Sequence, residues 1–456
     1  MLKTSISLAA PSAVLGLNYY RLRHIPGPRW AKLTSFGVTW RFHYGNETFV
    51  DLCTRLDKEY GPVVQWSSRN VLFSDPSVIP TIYATTNVWR KAVSYEPAIP
   101  IINGVLQDSL TTTRNEAKVS AIKRHINGAF TPRAIGEYET HVDEGINLLN
   151  SRLRSHAPVV DFVRWIKFFA FETICRVAFS EVDLAEHQVE TILSGARQRF
   201  DHWYRWFATP WLERLIYKNA FVRGRGTSLL GLQALKRIDE RAPKADSESK
   251  SDLLQWYLES QAKSPDLINK GTVVGLVIST INAGAETTAS TMVQILWFLL
   301  NHPSRFTALL EELKSAELRS PPSFESVQKL PYLDATIKET MRLHSVNQAP
   351  LEREVPPGGA HIAGVYVPGG TAVALNFAAL RLRKDVWGSS PEEFRPERWT
   401  EADTATRAKM ERAFYGFGFG KRVCIGQHIA WIEMKKLIPE LLLNYEAGHL
   451  PLRKSF

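Results

Sequence analysis

The residues that most clearly suggest a chemical function lie in the segment FGFGKRVCIG, Phe417 to Gly426. One cysteine, Cys424, stands among glycines at 418, 420 and 426, whose missing side chains let another group approach the backbone closely. Cys424 also directly precedes a predicted helix, where amide groups and the helix dipole favour a thiolate. A lone thiolate in an open loop suits the axial position of a haem iron. The alternative is an inert, buried cysteine in a glycine-rich turn.

A second unusual segment lies inside a long apolar stretch from about Gly271 to Leu300. Glu286 and Thr287 interrupt this stretch, and polar groups inside a buried helix are costly unless they have partners or a task. The neighbouring Ala283-Gly284 pair leaves room for a ligand, and a threonine that bonds back to a carbonyl opens a local groove. The alternative is a helix kink whose polar groups are satisfied by water.

A third group consists of charged residues. Glu339 and Arg342 are three residues apart in KETMR, so they share a helix face and can form an ion pair. Arg398 follows further along, in FRPERW. Taken alone, the pair would be an exposed salt bridge that contributes little to stability.

The elements that must position these residues are mainly helical. Residues 60–80 and 350–376 combine short β-type runs with turn residues, whereas 115–345 shows mostly helical periodicity. A final helix is predicted from Gly426 to about Leu443, and residues 241–252 read as an exposed connection. The fold class is therefore mainly α with minor β.

Composition narrows the functional classes. The chain has 456 residues and a net charge of +10 that is spread along the sequence, which excludes a basic nucleic-acid arm and fits a negatively charged partner or a membrane surface. Cys53 and Cys175 lie far from Cys424 and form no CxxC pair. Neither a disulfide framework nor a zinc site is predicted, and the surroundings are expected to be reducing.

The N-terminus carries a short apolar run, Ile6 to Leu17, followed by Arg21, Arg23 and His24. A membrane span needs about 20 apolar residues, so this run is short. A signal sequence and a disordered end are alternatives to an anchor. Because the positive charges follow the apolar run, we predict a short membrane anchor over residues 1–25 with the following domain, 26–456, in the cytosol.

The glycine-rich loop resembles the haem-binding loop of the cytochrome P-450 family, the haem-thiolate monooxygenases. The family pattern Phe-x-x-Gly-x-Arg-x-Cys-x-Gly is filled by Phe417, Gly420, Arg422, Cys424 and Gly426. The family pattern Ala/Gly-Gly-x-Asp/Glu-Thr-Thr also matches in the long helix, as do the Glu-x-x-Arg and Pro-Glu-Arg motifs. The resemblance covers nearly everything from Pro26 to about Leu450.

This resemblance implies a role for each matching residue within a single large helical haem domain with small β-sheets. Cys424 would be the axial iron ligand. Glu286 and Thr287 would be the acid–alcohol pair that delivers protons to dioxygen. Besides the cofactor-binding loop, Arg422, Arg353 and either Lys123 or Arg124 would contact the haem propionates. On the helix that carries Lys123 and Arg124, however, Val119 stands where the family has an aromatic residue. Glu339, Arg342 and Arg398 would form a buried structural network.

The resemblance also implies an activity. The chain would insert one oxygen atom from dioxygen into an apolar small molecule, using haem b and electrons from NADPH through a flavoprotein reductase. The turn at 356–371 resembles filamentous-fungal, pisatin-demethylase-like members, which indicates secondary-metabolite biosynthesis or detoxification of plant compounds at the endoplasmic reticulum membrane. A haem-thiolate isomerase or dehydratase is an alternative, and so is a shortened, non-catalytic haem-binding member.

Three further expectations concern surfaces. In the family, the aromatic segment 201–221 is a mobile lid that often touches membrane. Basic residues near the loop are predicted to attract an acidic reductase: Arg412, Lys421, Arg422, Lys435 and Lys436. Because few residues follow Cys424, the C-terminal β-hairpin of the family is expected to be missing.

Overall fold

The protein is mainly helical with small sheets, as predicted. The structure, a computed structural model, describes residues 19–156, 159–224, 227–242 and 251–446. The longer α-helices cover Phe36–Tyr44, Phe49–Tyr60, Glu116–Ile126, Glu139–Ser155, Phe162–Phe179, Glu186–Trp206, Leu229–Arg241, Leu253–Lys263, Lys270–Asn301, Pro303–Ser315, Pro331–Leu343, Thr404–Ala413 and Gln427–Asn444. Shorter α-helices cover Arg29–Leu33, Ile79–Ile82, Pro132–Glu137, Pro210–Glu213, Phe324–Val327, Phe377–Leu380, Lys384–Trp387 and Glu397–Thr400. Short 3-10 or π helices lie at Pro76–Val78, Val93–Ala98, Asn127–Phe130, Arg214–Lys218 and Gly420–Arg422.

The described strands form one four-stranded sheet and two hairpins. They are β1 (Val63–Ser67), β2 (Asn70–Phe73), β3 (Ile101–Ile102), β4 (Val105–Leu106), β5 (Arg353–Glu354), β6 (Ala360–Ile362), β7 (Val365–Val367) and β8 (Ala372–Leu375). The sheet order is β1-β2-β8-β5, in which β2 and β8 are parallel and the outer pairs are antiparallel. An additional bridge pairs Lys91 with Arg353 beside β5, so the sheet brings a residue near 90 to one near 350.

The long helix, Lys270–Asn301, is the central element of the core. Its 32 residues span about 48 Å at 1.5 Å per residue. The Asn269 side chain caps its N-terminus by accepting from the Thr272 amide at 3.0 Å, and Pro303 opens the next helix just after its end. The long helix packs against Phe162–Phe179 and against the terminal helix, Gln427–Asn444.

The predicted exposed connection at 241–252 is bounded by a buried ion pair. Arg241 Nη2 donates to Asp252 Oδ2 at 2.7 Å, and both side chains are buried. The ends of this connection are therefore fixed to the core, while residues 243–250 lie outside the described part of the chain.

The predicted N-terminal anchor lies mostly outside the described residues, which start at Tyr19. Leu22 and Ile25 are buried in a core cluster with residues of the sheet, and the His24 ring contacts the carbonyl oxygen of Tyr366 at 2.9 Å. The last part of the segment 1–25 therefore packs on the folded domain. Within the described ranges, no helix is both long and apolar enough to cross a membrane. The position of the expected missing hairpin, after residue 446, also lies beyond the described residues.

Candidate active site

The loop around Cys424 is closed by its own backbone. The Cys424 amide donates to the Phe417 carbonyl at 2.9 Å, and the Gly426 amide is hydrogen-bonded to the Cys424 sulfur. Gly420 has a φ of +63°, and a β-carbon there would lie 1.8 Å from the carbonyl oxygen of Tyr83. This glycine is thus required by a close approach of protein backbone. At Gly426, by contrast, no heavy atom lies within 4 Å of an added β-carbon, so the loop is open beside the cysteine.

Cys424 differs from the other two cysteines in its access. Cys53 and Cys175 are buried, and burial raises the pKa of each thiol far above its usual range, so they are inert. Burial also raises the pKa of Cys424, although the Gly426 amide and Lys123 act in the opposite direction. The amide at the helix end therefore lowers the pKa of the thiol, as predicted, but the effect of burial is larger. Cys424 is nevertheless accessible, whereas the other two cysteines are not, so it lies beside open space rather than packed protein.

Three cations lie close to this loop, and we call Lys91, Lys123 and Arg353 the basic cluster. Lys91 Nζ donates to the Thr111 carbonyl at 2.6 Å, and Lys123 Nζ donates to the Lys421 carbonyl at 3.0 Å. No cluster member forms an ion pair within the described part of the chain. Burial lowers the pKa of Lys91 well below its usual value, and the nearby cations add to the effect. The cluster therefore lacks anionic partners.

Two of the residues predicted to contact the propionates, Arg422 and Arg124, have other surroundings in the structure. Arg422 donates to both carboxylate oxygens of Glu116, at 2.7 and 2.9 Å, and to the carbonyls of Leu110 and Thr113. Its guanidinium is thus already paired within the protein. Arg124 is exposed, because it follows Lys123 by one residue and so points about 100° away around the helix. The structure therefore brings Lys123, and not Arg124, to the loop.

Lys91 is a member of the basic cluster that the sequence did not reveal. It lies in the irregular segment between the first sheet and the helix Glu116–Ile126, without any motif. A β-bridge pairs it with Arg353, which lies more than 250 positions away in the sequence. The lysine alone gave no signal that could have identified it.

The middle of the long helix opens toward space at Ala283 and Thr287. The Thr287 hydroxyl donates to the Ala283 carbonyl at 2.5 Å, the back-bonding that the sequence suggested. Ala283 is exposed although its neighbours in the helix are buried or half-buried, and Thr287, four residues later, lies on the same face. Glu286 Oε1 lies 3.9 Å from Lys167 Nζ, and both groups are partly buried.

The role expected of Gly284 was wrong. A β-carbon at this position would lie 2.6 Å from Ile174 Cγ1, so the missing side chain makes room for the helix Phe162–Phe179. Successive helical residues point about 100° apart, and Gly284 therefore faces protein while Ala283 faces the opening. The space for a ligand lies beside the alanine.

The charged network behind the loop is fully formed. Arg342 holds Glu339 with two bonds of 2.9 Å, and Arg398 Nε donates to the same carboxylate at 2.8 Å. The Trp399 indole and the Arg395 amide add two further donors at 3.0 Å. All three charged side chains are buried, so the ion pairs among them must offset the free energy that is lost when each charge is removed from water. None of these contacts involves the opening beside Cys424.

The predicted basic docking face is wrong for its two lysines on the terminal helix. Lys435 Nζ pairs with Asp334 at 2.8 Å, and Lys436 Nζ pairs with Asp143 at 2.7 Å and with Glu139. Lys436 is completely buried and Lys435 nearly so. Both charges are neutralised inside the protein, and neither is available to a docking partner.

Comparison with known proteins decides the family. The family model for cytochrome P450 matches residues 26–454. The chain belongs to the cytochrome P450 family. A cytochrome P450 monooxygenase from Aspergillus terreus is 32% identical over 460 residues, which cover 95% of this chain and 92% of that protein. Another from Emericella nidulans is 30% identical over 451 residues, with 94% and 88% covered.

The fold agrees with that of a solved cytochrome P450. The structure of a zebra fish cytochrome P450 with abiraterone matches with a TM-score of 0.68 and 21% identity, covering 86% of this chain and 90% of that one. This likeness shows the fold. The fungal relatives establish the chain as a monooxygenase of the cytochrome P450 class, and membership of the family implies a haem iron.

The residues of this cytochrome P450 fit a haem. Cys424 presents the only accessible thiol among its three cysteines. The basic cluster forms no ion pair with any described residue, which suits the two propionates of a haem. The open backbone at Gly426 leaves room for a flat group next to the sulfur. Cys424 would thus hold the iron, and Lys91, Lys123 and Arg353 would hold the propionates.

Proposed function

We propose that this cytochrome P450 inserts one oxygen atom from dioxygen into an apolar small molecule of fungal secondary metabolism. The haem supplies the chemistry of oxygen activation when it is bound. Electrons would come from NADPH through a flavoprotein reductase. The fungal relatives, which match along nearly the whole chain, support this general class of activity. Detoxification of plant compounds is a second setting for the same reaction.

The observation that carries this proposal is the Glu286–Thr287 pair on the open face of the long helix. The Thr287 hydroxyl is held at the Ala283 carbonyl, and Glu286 next to it is partly exposed. A hydroxyl fixed at an opening, with a carboxylate beside it, can hold and pass a proton. A haem-thiolate isomerase or dehydratase needs no such proton supply, so the pair favours a monooxygenase over that alternative.

Isotope labelling tests the proposal directly. The purified protein, with a fungal reductase and NADPH, is incubated under ¹⁸O₂ with a compound that shifts its haem spectrum. We expect a product that carries one ¹⁸O atom, because a monooxygenase transfers a single atom from dioxygen. Omission of the reductase is the control and should give no product. A product formed without consumption of dioxygen would favour the isomerase or dehydratase. If no bound compound is converted, the protein would be a non-catalytic haem protein.

We also propose that the protein associates with the endoplasmic reticulum membrane through an apolar patch. This patch comprises Phe36 and Trp40 of one helix and Trp211, Leu215 and Phe221 of the lid segment. The rings of Phe36 and Trp211 contact each other edge to face at 5.9 Å, which joins the two segments into one surface. Trp40 is 65% exposed and Phe221 is 99% exposed, and large apolar side chains exposed to this extent are typical of membrane contact.

Vesicle flotation measures the contribution of the patch. The double variant Trp211→Ser/Phe221→Ser should bind vesicles of phosphatidylcholine and phosphatidylserine about tenfold or more weakly, since each large apolar side chain contributes about 1.5–3 kcal/mol when buried. The matched control Trp297→Ser/Leu382→Ser removes two exposed apolar residues elsewhere and should bind like the wild type. Each variant is prepared with and without residues 1–18, which separates the patch from the predicted anchor. Equal flotation of the two double variants would remove the patch from the proposal.

A further inference from the structure

A second space in the molecule lies along the long helix, away from the thiolate loop. It is a cavity of about 380 Å³ between the segment 97–102, the helix Glu186–Trp206, the lid segment and the long helix. This volume falls within the roughly 300–1,000 Å³ of small-molecule sites. Its apolar lining includes Ile99, Ile101, Ile102, Ile216, Val222 and Ile278. Ile278 precedes Ala283 by five residues, so the cavity meets the long helix about 7.5 Å along its axis from Ala283, on a face turned about 140° away.

Four acidic or basic side chains also line this cavity, and three of them are joined by ion pairs. Glu213 is completely buried, and its Oε1 lies 3.0 Å from His202 Nε2 and 3.1 Å from Lys218 Nζ. Lys218 Nζ donates to the Glu96 carbonyl as well, at 2.6 Å. The single carboxylate in the cavity therefore already has a full cationic partner.

Arg199 is the exception. It lines the same cavity and is half-buried, yet it forms no hydrogen bond and no ion pair within the described ranges of the chain. Burial lowers the pKa of Arg199, and no carboxylate offsets this effect. A guanidinium nevertheless remains charged in proteins. Because Lys218 is already paired with Glu213, the positive charge of Arg199 is not neutralised by any other residue that lines the cavity.

We propose that the substrate of this enzyme is an apolar molecule that carries a carboxylate, and that Arg199 binds this carboxylate. The inference rests on the proposed monooxygenase function and narrows its substrate class. The planar guanidinium can hold a carboxylate through two parallel hydrogen bonds. The apolar body of the molecule would lie along Ile216 and Ile278.

Matched acids and esters test this assignment. The probes are dodecanoic, 4-phenylbutanoic and 2-naphthylacetic acids, each beside its methyl ester, which keeps the apolar body but has no charge. Binding is followed by the haem Soret shift and, independently, by calorimetry. The wild type should bind at least one acid about tenfold or more tightly than its ester, as expected for a hydrogen-bonded charge that is partly desolvated.

The variant Arg199→Leu should lose this preference, mainly by weaker binding of the acid. The control Arg197→Leu removes an equal charge from an exposed position on the same helix and should keep the preference. Equal binding of every acid and its ester by the wild type would overturn the proposal, and so would a preference that survives in Arg199→Leu. The ferrous–CO spectrum of each variant reports separately on the haem site, so failure of the proposed function is distinguished from failure of the substrate assignment.

Discussion

Replacement of Cys424 by histidine should abolish both the red-shifted Soret band of the ferrous–CO complex and the oxygenase activity, down to background. A thiolate ligand donates electron density to the iron and produces this band, whereas an imidazole ligand does not. Cys424 is the accessible cysteine, and the open backbone at Gly426 adjoins it. The measurement is the reduced CO-difference spectrum of the purified variant, together with its haem content.

The other cysteines provide matched controls. Cys53 and Cys175 are buried in the core, so alanine is a better replacement there than serine, whose hydroxyl would need a partner. Cys53→Ala and Cys175→Ala should keep the band and the activity, with a modest loss of thermal stability from the lost packing. A normal band in Cys424→His, or its loss in either control, would contradict the assignment of the iron ligand.

Periodicity in the sequence predicted the elements that position the site. The apolar stretch that became Lys270–Asn301 and the run after Gly426 that became Gln427–Asn444 ended within a few residues of their predicted limits. Both are long and bounded by clear start or stop residues, and local signals define such helices well. The contacts of Glu339, Arg342 and Arg398 were anticipated from resemblance, since spacing alone accounts only for the first pair.

Local sequence failed where a residue acts through a distant partner. Lys435 and Lys436 read as an exposed basic pair, yet the acids that neutralise them, Asp334 and Asp143, lie on two other helices. Lys91 reaches the site only because the sheet pairs it with Arg353. Tertiary packing decides whether a lysine is a solvated charge, a buried ion pair or a ligand contact, and no pattern of neighbouring residues contains that information.

Proton supply is the function expected of Thr287, and Thr287→Ala should uncouple NADPH consumption from product formation. Its hydroxyl is held 2.5 Å from the Ala283 carbonyl, at the open face of the long helix. Without the hydroxyl, the water that it would position for proton transfer loses its place, and a misplaced donor can cost about a hundredfold. We expect haem and substrate binding to persist, with about tenfold or more less product per NADPH and correspondingly more hydrogen peroxide.

The alternative is that Thr287 only shapes the helix, and Thr291 offers the control that separates the two roles. The Thr291 hydroxyl makes the same kind of bond one turn later, to the Thr287 carbonyl at 2.9 Å, but its side chain is buried. Thr291→Ala should therefore alter stability and leave the ratio of peroxide to product unchanged, whereas Thr287→Ser, which keeps the hydroxyl, should be nearly normal. Peroxide, product and NADPH are measured together in all three variants. Equal ratios in Thr287→Ala and Thr291→Ala would mean that the back-bond serves helix geometry, and that proton delivery uses another group.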